Sequence, residues 1–171
     1  LLALVTEILE FARIQSEPRT PADKHIDVPG IVGDVANAIA AKARDKGLFL
    51  WVDASRPLCD LLGSPLYLRE ALLNYADNAV KYTDSGGITL RVRMDDETRD
   101  DAIVRFEVLD TGIGIREEIL PRLFTPFEQA DNSLSRRHNG LGLGLAMTRS
   151  LARAMGGDAG VLSLPGIGST F

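Results

Sequence analysis

The chain has 171 residues, enough for one domain with a sizeable core, and its 19 Lys and Arg against 24 Asp and Glu leave a formal charge of −5 with the signs interspersed, which argues against a nucleic-acid backbone as partner. A hydrophobic content of 45% with 25% charged residues argues against disorder, and the single cysteine, Cys59, excludes an intrachain disulfide framework or a cysteine-based metal site and fits a reducing compartment. No apolar run reaches the ~18 residues of a membrane span and nothing reads as a secretory signal, so the segment is cytoplasmic in character and compatible with a membrane-anchored parent.

Leu1, Leu2, Val5, Ile8, Leu9 and Ala12 recur at helical spacing without a preceding cap, which predicts that the chain begins inside a helix; at the other end the turn and strand of 166–171 stop short, as in a fragment. Pro18 and Pro21 among polar residues predict a linker, dividing the chain into 1–17, 18–24 and a globular body over 25–171. In that body we expect a short strand at 25–28, an Ala-rich helix over 31–46 ending at Gly47, and a strand over 48–52. A second helix spans 65–83, with Ser64 as cap and Pro65 in the first turn. Alternating apolar residues at 88–93 and 103–109 around an acidic loop predict a hairpin. A short helix at 116–123, a long polar loop over 125–139, a helix over 142–155 stopped by Gly156-Gly157, and a strand over 160–164 complete the pattern. Helices alternating with strands that include a hairpin imply a mixed sheet covered by helices. Trp51, Tyr67 and Cys59 read as packing residues, and His25 as a strand-edge surface residue.

Three segments carry chemistry. Asp110-Thr111-Gly112-Ile113-Gly114-Ile115 follows a strand: an Asp there can accept from an exocyclic amine and the glycines admit a ligand to the backbone, although an ordinary strand-to-helix turn has the same composition. Gly140-Leu141-Gly142-Leu143-Gly144-Leu145 frees backbone N–H groups where a polar loop meets a helix, a phosphate site or a set of helix-packing glycines. Asn74, Asn78 and Lys81, spaced by four and three, share one helix face; a bound metal-nucleotide or plain solvent satisfies them.

In order and identity these segments resemble sensor histidine kinases, members of the gyrase, heat-shock chaperone, histidine kinase and mismatch-repair ATPase superfamily. Residues 73–83 resemble that family's asparagine box, 110–115 its first glycine box, 123–129 its phenylalanine box, 140–145 its second glycine box and 168–171 its closing motif. Residues 1–15 resemble the end of the second helix of the dimerisation and histidine-phosphotransfer domain. The stretch 127–131 is most similar to hybrid kinases with an attached receiver domain.

The resemblance implies an α/β sandwich of the Bergerat type, a mixed, mainly antiparallel sheet covered by three main helices, binding ATP and magnesium. It implies that Asp110 accepts the adenine amino group with support from Thr170, while Gly112 and Gly114 let the backbone close over the base and Ile113 and Ile115 pack nearby. Asn78 is implied as the magnesium ligand, Asn74 and Lys81 as the groups meeting phosphates or the metal's waters during catalysis, and Tyr82 as a neighbour of the nucleotide. Residues 116–139 become a mobile lid hinged at Gly140, Gly142 and Gly144, with Leu141, Leu143 and Leu145 in the same segment and Phe124 and Phe127 pinning the lid to the body. His138, Arg136 and Arg137 are lid residues either solvated or within reach of phosphate.

Hydrolytic relatives carry a Glu at the position of Asn74, which has no basicity here, so an external nucleophile is expected in place of water. The implied function is transfer of the ATP γ-phosphoryl group to a histidine on the dimerisation domain, absent from this chain, for relay to a response-regulator receiver aspartate in a homodimeric parent. A serine protein kinase of the anti-sigma type and a nucleotide-gated interaction module are the alternatives. The family often has Asp at Ser64, Thr at Leu141 and a more apolar stretch at 75–77; Leu141 offers no hydroxyl to phosphate.

Overall fold

A computed structural model describes residues 24–54, 61–98, 101–128 and 142–171. The leading helix and linker, Cys59, and lid residues 129–141, including Arg136, Arg137, His138, Gly140 and Leu141, lie outside the described residues. Strand β1 (Lys24–His25) precedes helix α1 (Val28–Asp45), which starts three residues earlier than its apolar period predicts. The reason is local: Asp27 is the cap, its Oδ1 accepting from Gly30 N at 3.1 Å, and Pro29 occupies a first-turn position that needs no N–H. The expected strand at 25–28 therefore shrinks to the end of β1, where His25 is exposed as anticipated.

Strands β2 (Phe49–Ala54) and β3 (Leu62–Gly63) lead to helix α2 (Pro65–Tyr82), capped by Ser64, whose Oγ accepts from Tyr67 N at 3.3 Å. The predicted hairpin is β4 (Gly87–Glu97) with β5 (Ala102–Asp110); its register slips between Met94 and Asp96. The helix expected at 116–123 is only a 3-10 turn, Leu120–Arg122. Helix α3 (Gly144–Ala154), β6 (Leu162–Leu164) and β7 (Gly168–Thr170) close the chain.

The main sheet runs β2-β4-β5-β7-β6, with β2 parallel to β4 and the other pairs antiparallel; β1 and β3 form a separate two-stranded pair. Three helices cover one face. Val28, Val35 and Ile39 of α1, Leu72, Ala76 and Val80 of α2, and Ile88, Leu90, Val92 and Val108 of the sheet make the core. Burial on that face explains the alternation in β4, since successive side chains point to opposite faces. On the open face Trp51 is 69% exposed, against its reading as a packing residue: it stands in an edge strand on the side no helix covers. Tyr67 does pack, against Ala71, Met147 and Leu151 between α2 and α3. Among the described residues no helix is long and apolar enough to cross a membrane.

Candidate functional site

The last residue of β5, Asp110, lies on the helix-covered face, opposite Ser169 of β7. Asp110 Oδ1 accepts from Gly112 N at 2.8 Å, and the Ser169 backbone and hydroxyl add hydrogen bonds. Burial nevertheless dominates and holds the carboxyl pKa above its ordinary value, with these hydrogen bonds opposing the shift. Ser169 Oγ is 3.0 Å from Ser163 Oγ, and Ser163 in turn accepts from Ile115 N at 2.8 Å and donates to Gly168 O at 3.0 Å. A hydroxyl pair thus ties the aspartate to the first glycine segment.

The register corrects one expectation. Thr170 pairs with Leu109 and Leu162, so its side chain projects to the opposite face from Asp110, and the supporting hydroxyl is that of Ser169. In sequence the two neighbouring hydroxyl residues are indistinguishable; only the pairing partner decides.

Glycines shape the loop after Asp110. A side chain at Gly112 would collide with the Tyr82 carbonyl and come within 2.8 Å of Asp110 Oδ1. Gly114 has φ +67° and a Cβ there would run into the Leu164 carbonyl. Ile113 N donates to Tyr82 O at 3.2 Å and Ile113 O accepts from Gly166 N at 2.8 Å, so the loop is fastened to α2 on one side and the β6–β7 turn on the other. Ile113 is exposed and Ile115 half-buried. Gly114→Ala is expected to cost at least ~2 kcal/mol through strain plus backbone collision. Gly166→Ala, at φ +76° but with open space around it, loses only the conformational part. Denaturant unfolding of the two variants gives the comparison, and equal losses would refute the collision.

Along α2, Asn74, Asn78 and Lys81 are half-buried while Leu72, Ala76, Ala79 and Val80 pack inward. A Cβ at Gly144 would stand 3.5 Å from Asn74 Oδ1, so the first turn of α3 faces the asparagine helix. The Lys81 ammonium lies 4.8 Å from the Tyr82 ring centroid, and Tyr82 is partly open to solvent. Sequence reasoning missed Lys46, whose Nζ donates to the carbonyls of Val80 at 2.8 Å and of Lys81 and Thr83 at 3.1 Å. A lysine closing the last carbonyls of a helix also complements its dipole, and here it fixes the end that carries Lys81 and Tyr82. Position before a helix-ending glycine was the available signal, but its reach to another helix was not.

The Leu143 side chain is buried, at 1% exposure, which leaves its backbone N–H as the group it can offer a phosphate, and Leu145 packs partly against the main core. Gly142, at φ +71°, leaves room for the Glu128 carbonyl, which brings the described ends of the lid segment together. Phe124 packs on the core beneath Arg149, whose guanidinium is 5.3 Å from the ring centroid. Arg149 is held in turn by both carboxylate oxygens of Asp158, at 2.9 and 3.1 Å, and these bonds hold that carboxyl far below its usual range. Phe127 is 61% exposed and takes φ +65°, and among the described residues it does not pack on the core as Phe124 does.

These groups fall along one line. The glycine loop crosses α2 at Tyr82, while Asn78 and Asn74 sit four and eight residues further up the helix, about 6 to 12 Å away at 1.5 Å per residue. A base against Asp110 would therefore have its phosphates beside the two amides and the first turn of α3.

The sequence model of the histidine kinase-, DNA gyrase B- and HSP90-like ATPases matches residues 63–171, which hold Asp110, both asparagines and Lys81. The chain belongs to this ATPase family. Among curated relatives it is 40% identical over 173 residues to the sensor protein GacS of Pseudomonas syringae pv. syringae, and 36% identical over 172 residues to the signal transduction histidine-protein kinase BarA of Escherichia coli K12. Each alignment covers 100% of this chain and 19% of the relative, so the chain spans about a fifth of their length. Among solved structures, full-length ShkA in complex with AMPPNP superposes with a TM-score of 0.87 at 37% identity, over 99% of this chain and 34% of that one. The catalytic domain of histidine kinase ThkA, at 21% identity and a TM-score of 0.71 over 87% of this chain and 93% of that one, shares the fold. The expected architecture, a mixed, mainly antiparallel sheet covered by three helices, is the one observed, and its main sheet has five strands.

Proposed function

We propose that this chain is the ATP-binding catalytic part of a two-component sensor histidine kinase, and that it transfers the γ-phosphoryl group of ATP to a histidine on the dimerisation domain of a homodimeric parent. The observation that carries the reading is the spacing just described: an acceptor for an exocyclic amine at one end of α2, two amides and a lysine further up it, and the glycine-led turn of α3 beside Asn74. In this reading residues 1–17 end the dimerisation domain, 18–24 link it to the catalytic part, and the phosphohistidine feeds a receiver aspartate in the cytoplasm. Relatives named as sensor kinases, matched over the whole chain, favour this over a serine kinase or a nucleotide-gated interaction module.

Asp110 accepts the adenine amino group with Ser169 and Ser163 behind it. Gly112 and Gly114 let the base approach the backbone, with Ile113, Ile115 and Tyr82 beside it. Asn74 and Lys81 meet phosphate oxygens, joined by N–H groups around Gly142 and Gly144. Magnesium fits as a shared ligand: among the described residues no three His, Cys, Asp or Glu side chains converge on a metal position, whereas one amide oxygen, from Asn78, suits an ion that keeps several waters and binds mainly through phosphates. When bound, the ion neutralises developing charge on the transferring group.

Asn74 is not a base, so water is activated poorly and the acceptor must arrive with its own nucleophile. Titration of the chain with AMPPNP and magnesium, followed by incubation with ATP and the parent's dimerisation domain, tests the reading. Saturable binding with acid-labile phosphate on the partner and slow phosphate release to water is expected. Failure to bind any adenine nucleotide overturns it.

A further inference from the structure

One tightly oriented cation stands outside the site as proposed. Arg149, in the second turn of α3, gives one edge of its guanidinium to Asp158, with Nε 2.9 Å from Oδ1 and Nη2 3.1 Å from Oδ2. Asp158 is itself fixed by Ala159 N at 2.9 Å and Arg153 Nε at 3.3 Å. A two-bond fork sets the plane of the guanidinium as well as its place. Its carbon lies over the Phe124 ring, 5.3 Å from the centroid, inside the ~6 Å reach of attraction between a cation and a π-system. The two side chains of the ion pair are 37% and 52% exposed, where such a pair adds little to stability; what it supplies is orientation.

Phe124 belongs to a short strap. Thr125 N donates to Arg122 O at 2.9 Å, Glu128 N donates to Thr125 O at 3.3 Å, and Arg122 Nε meets Glu128 Oε2 at 3.5 Å, so residues 122–128 are tied to one another. At the far end the Glu128 carbonyl lies against Gly142, where a Cβ would stand 2.6 Å from its oxygen. The strap therefore meets the α3 segment twice, at Arg149 in the second turn and at Gly142, just before the helix begins at Gly144. Between those two contacts lie the N–H groups of the first turn, which have no partners within the helix and face the phosphates in the proposed site.

We infer that Arg149 is a positioning residue for the phosphate end of the nucleotide site: by holding Phe124 it seats the strap against Gly142 and so sets the direction in which the start of α3 presents its N–H groups. The inference rests on the proposed ATP site. Arg149 itself touches no phosphate on this account, because its fork is taken up by Asp158.

The test separates an effect through Phe124 from a general loosening and from a direct contact with phosphate. Arg149→Met, which keeps the aliphatic stem and removes the cation, Phe124→Leu and the double variant are titrated with AMPPNP in the presence of magnesium and with adenosine, which carries the base and no phosphate. The expected result for Arg149→Met is about fivefold weaker binding of AMPPNP, the scale of one contact between a cation and a ring, with adenosine affinity unchanged. In the Phe124→Leu background the same substitution has less than about a twofold effect, since the ring through which it acts is gone. Retained adenosine binding also reports that each variant is folded. Equal weakening for both ligands, or no change for either, overturns the inference. So does a loss of AMPPNP affinity that persists undiminished in the Phe124→Leu background, which would assign Arg149 to the phosphates directly. If the unsubstituted chain binds neither ligand, the functional reading falls and this inference with it.

Discussion

Asp110→Asn is expected to weaken ATP binding on the order of a hundredfold, the upper part of the range for removing a hydrogen bond to a charged acceptor. The amide keeps one oxygen but presents an NH2 group where the carboxylate offered only acceptors, and that group faces either the adenine amine or the donors from Ser169. The relative preference for guanine nucleotides rises in the same variant, since an amide can donate to the guanine O6 that a carboxylate repels. Competition between ATP and GTP on wild type and variant measures both effects. Unchanged discrimination would remove Asp110 from base recognition.

The same substitution has an opposite consequence for stability. Burial raises the Asp110 pKa in the folded chain above its unfolded value, so the folded state holds its proton to higher pH than the unfolded one does. For a raised carboxyl the contribution to stability is present below the unfolded pKa and is lost as pH rises through the folded pKa. At neutral pH the ionised carboxylate is therefore a cost of the site, and Asp110→Asn removes it. Thermal unfolding is expected to show the variant gaining on wild type as pH rises through the carboxyl range, with the relative gain absent in acid. A difference that does not vary with pH would assign it to hydrogen bonding alone.

How much of this was legible in the sequence depends on whether the signal is local. The Ser64 cap, the stop of α1 before Gly47 and the β4–β5 hairpin follow from residues within a few positions of each other, and the elements fall close to where the periodicity places them, whereas the Asp27 cap sits in a stretch whose sequence reads as strand. Asn74, Asn78 and Lys81 share a face because helical spacing requires it. What was not legible depends on pairing between distant segments. The choice between Ser169 and Thr170 is made by a register with β5 across almost sixty residues of chain, and the burial of Leu143 by packing that an alternating Gly-Leu pattern does not encode. Phe124 and Phe127 read alike in sequence; Arg149, from α3, covers one and not the other. The Lys46 cap on α2 likewise bridges two helices that are separate in the sequence.

Asn78→Ala is expected to abolish the gain in nucleotide affinity that magnesium brings and to lower phosphoryl transfer by ~10²–10³, the loss typical of removing one preorganised electrostatic contact at a reacting group. The argument is one of donor count. Asn78 lies one helical turn from Asn74 on the half-buried side of α2, and no carboxylate cluster among the described residues offers the ion an alternative. If Asn78 supplies the protein oxygen that holds the ion, its loss would leave no side chain to fix the metal-bound phosphates, and the γ-phosphoryl group would no longer be held for attack. Affinity measured without magnesium should change little, because the base and glycine-loop contacts lie at the other end of α2. Parallel titrations with and without the ion, on Asn78→Ala and Asn74→Ala, assign the ligand. Loss of the magnesium effect in the Asn74 variant and its survival in the Asn78 variant would exchange their roles, placing the metal against the first turn of α3 instead of one turn closer to the base.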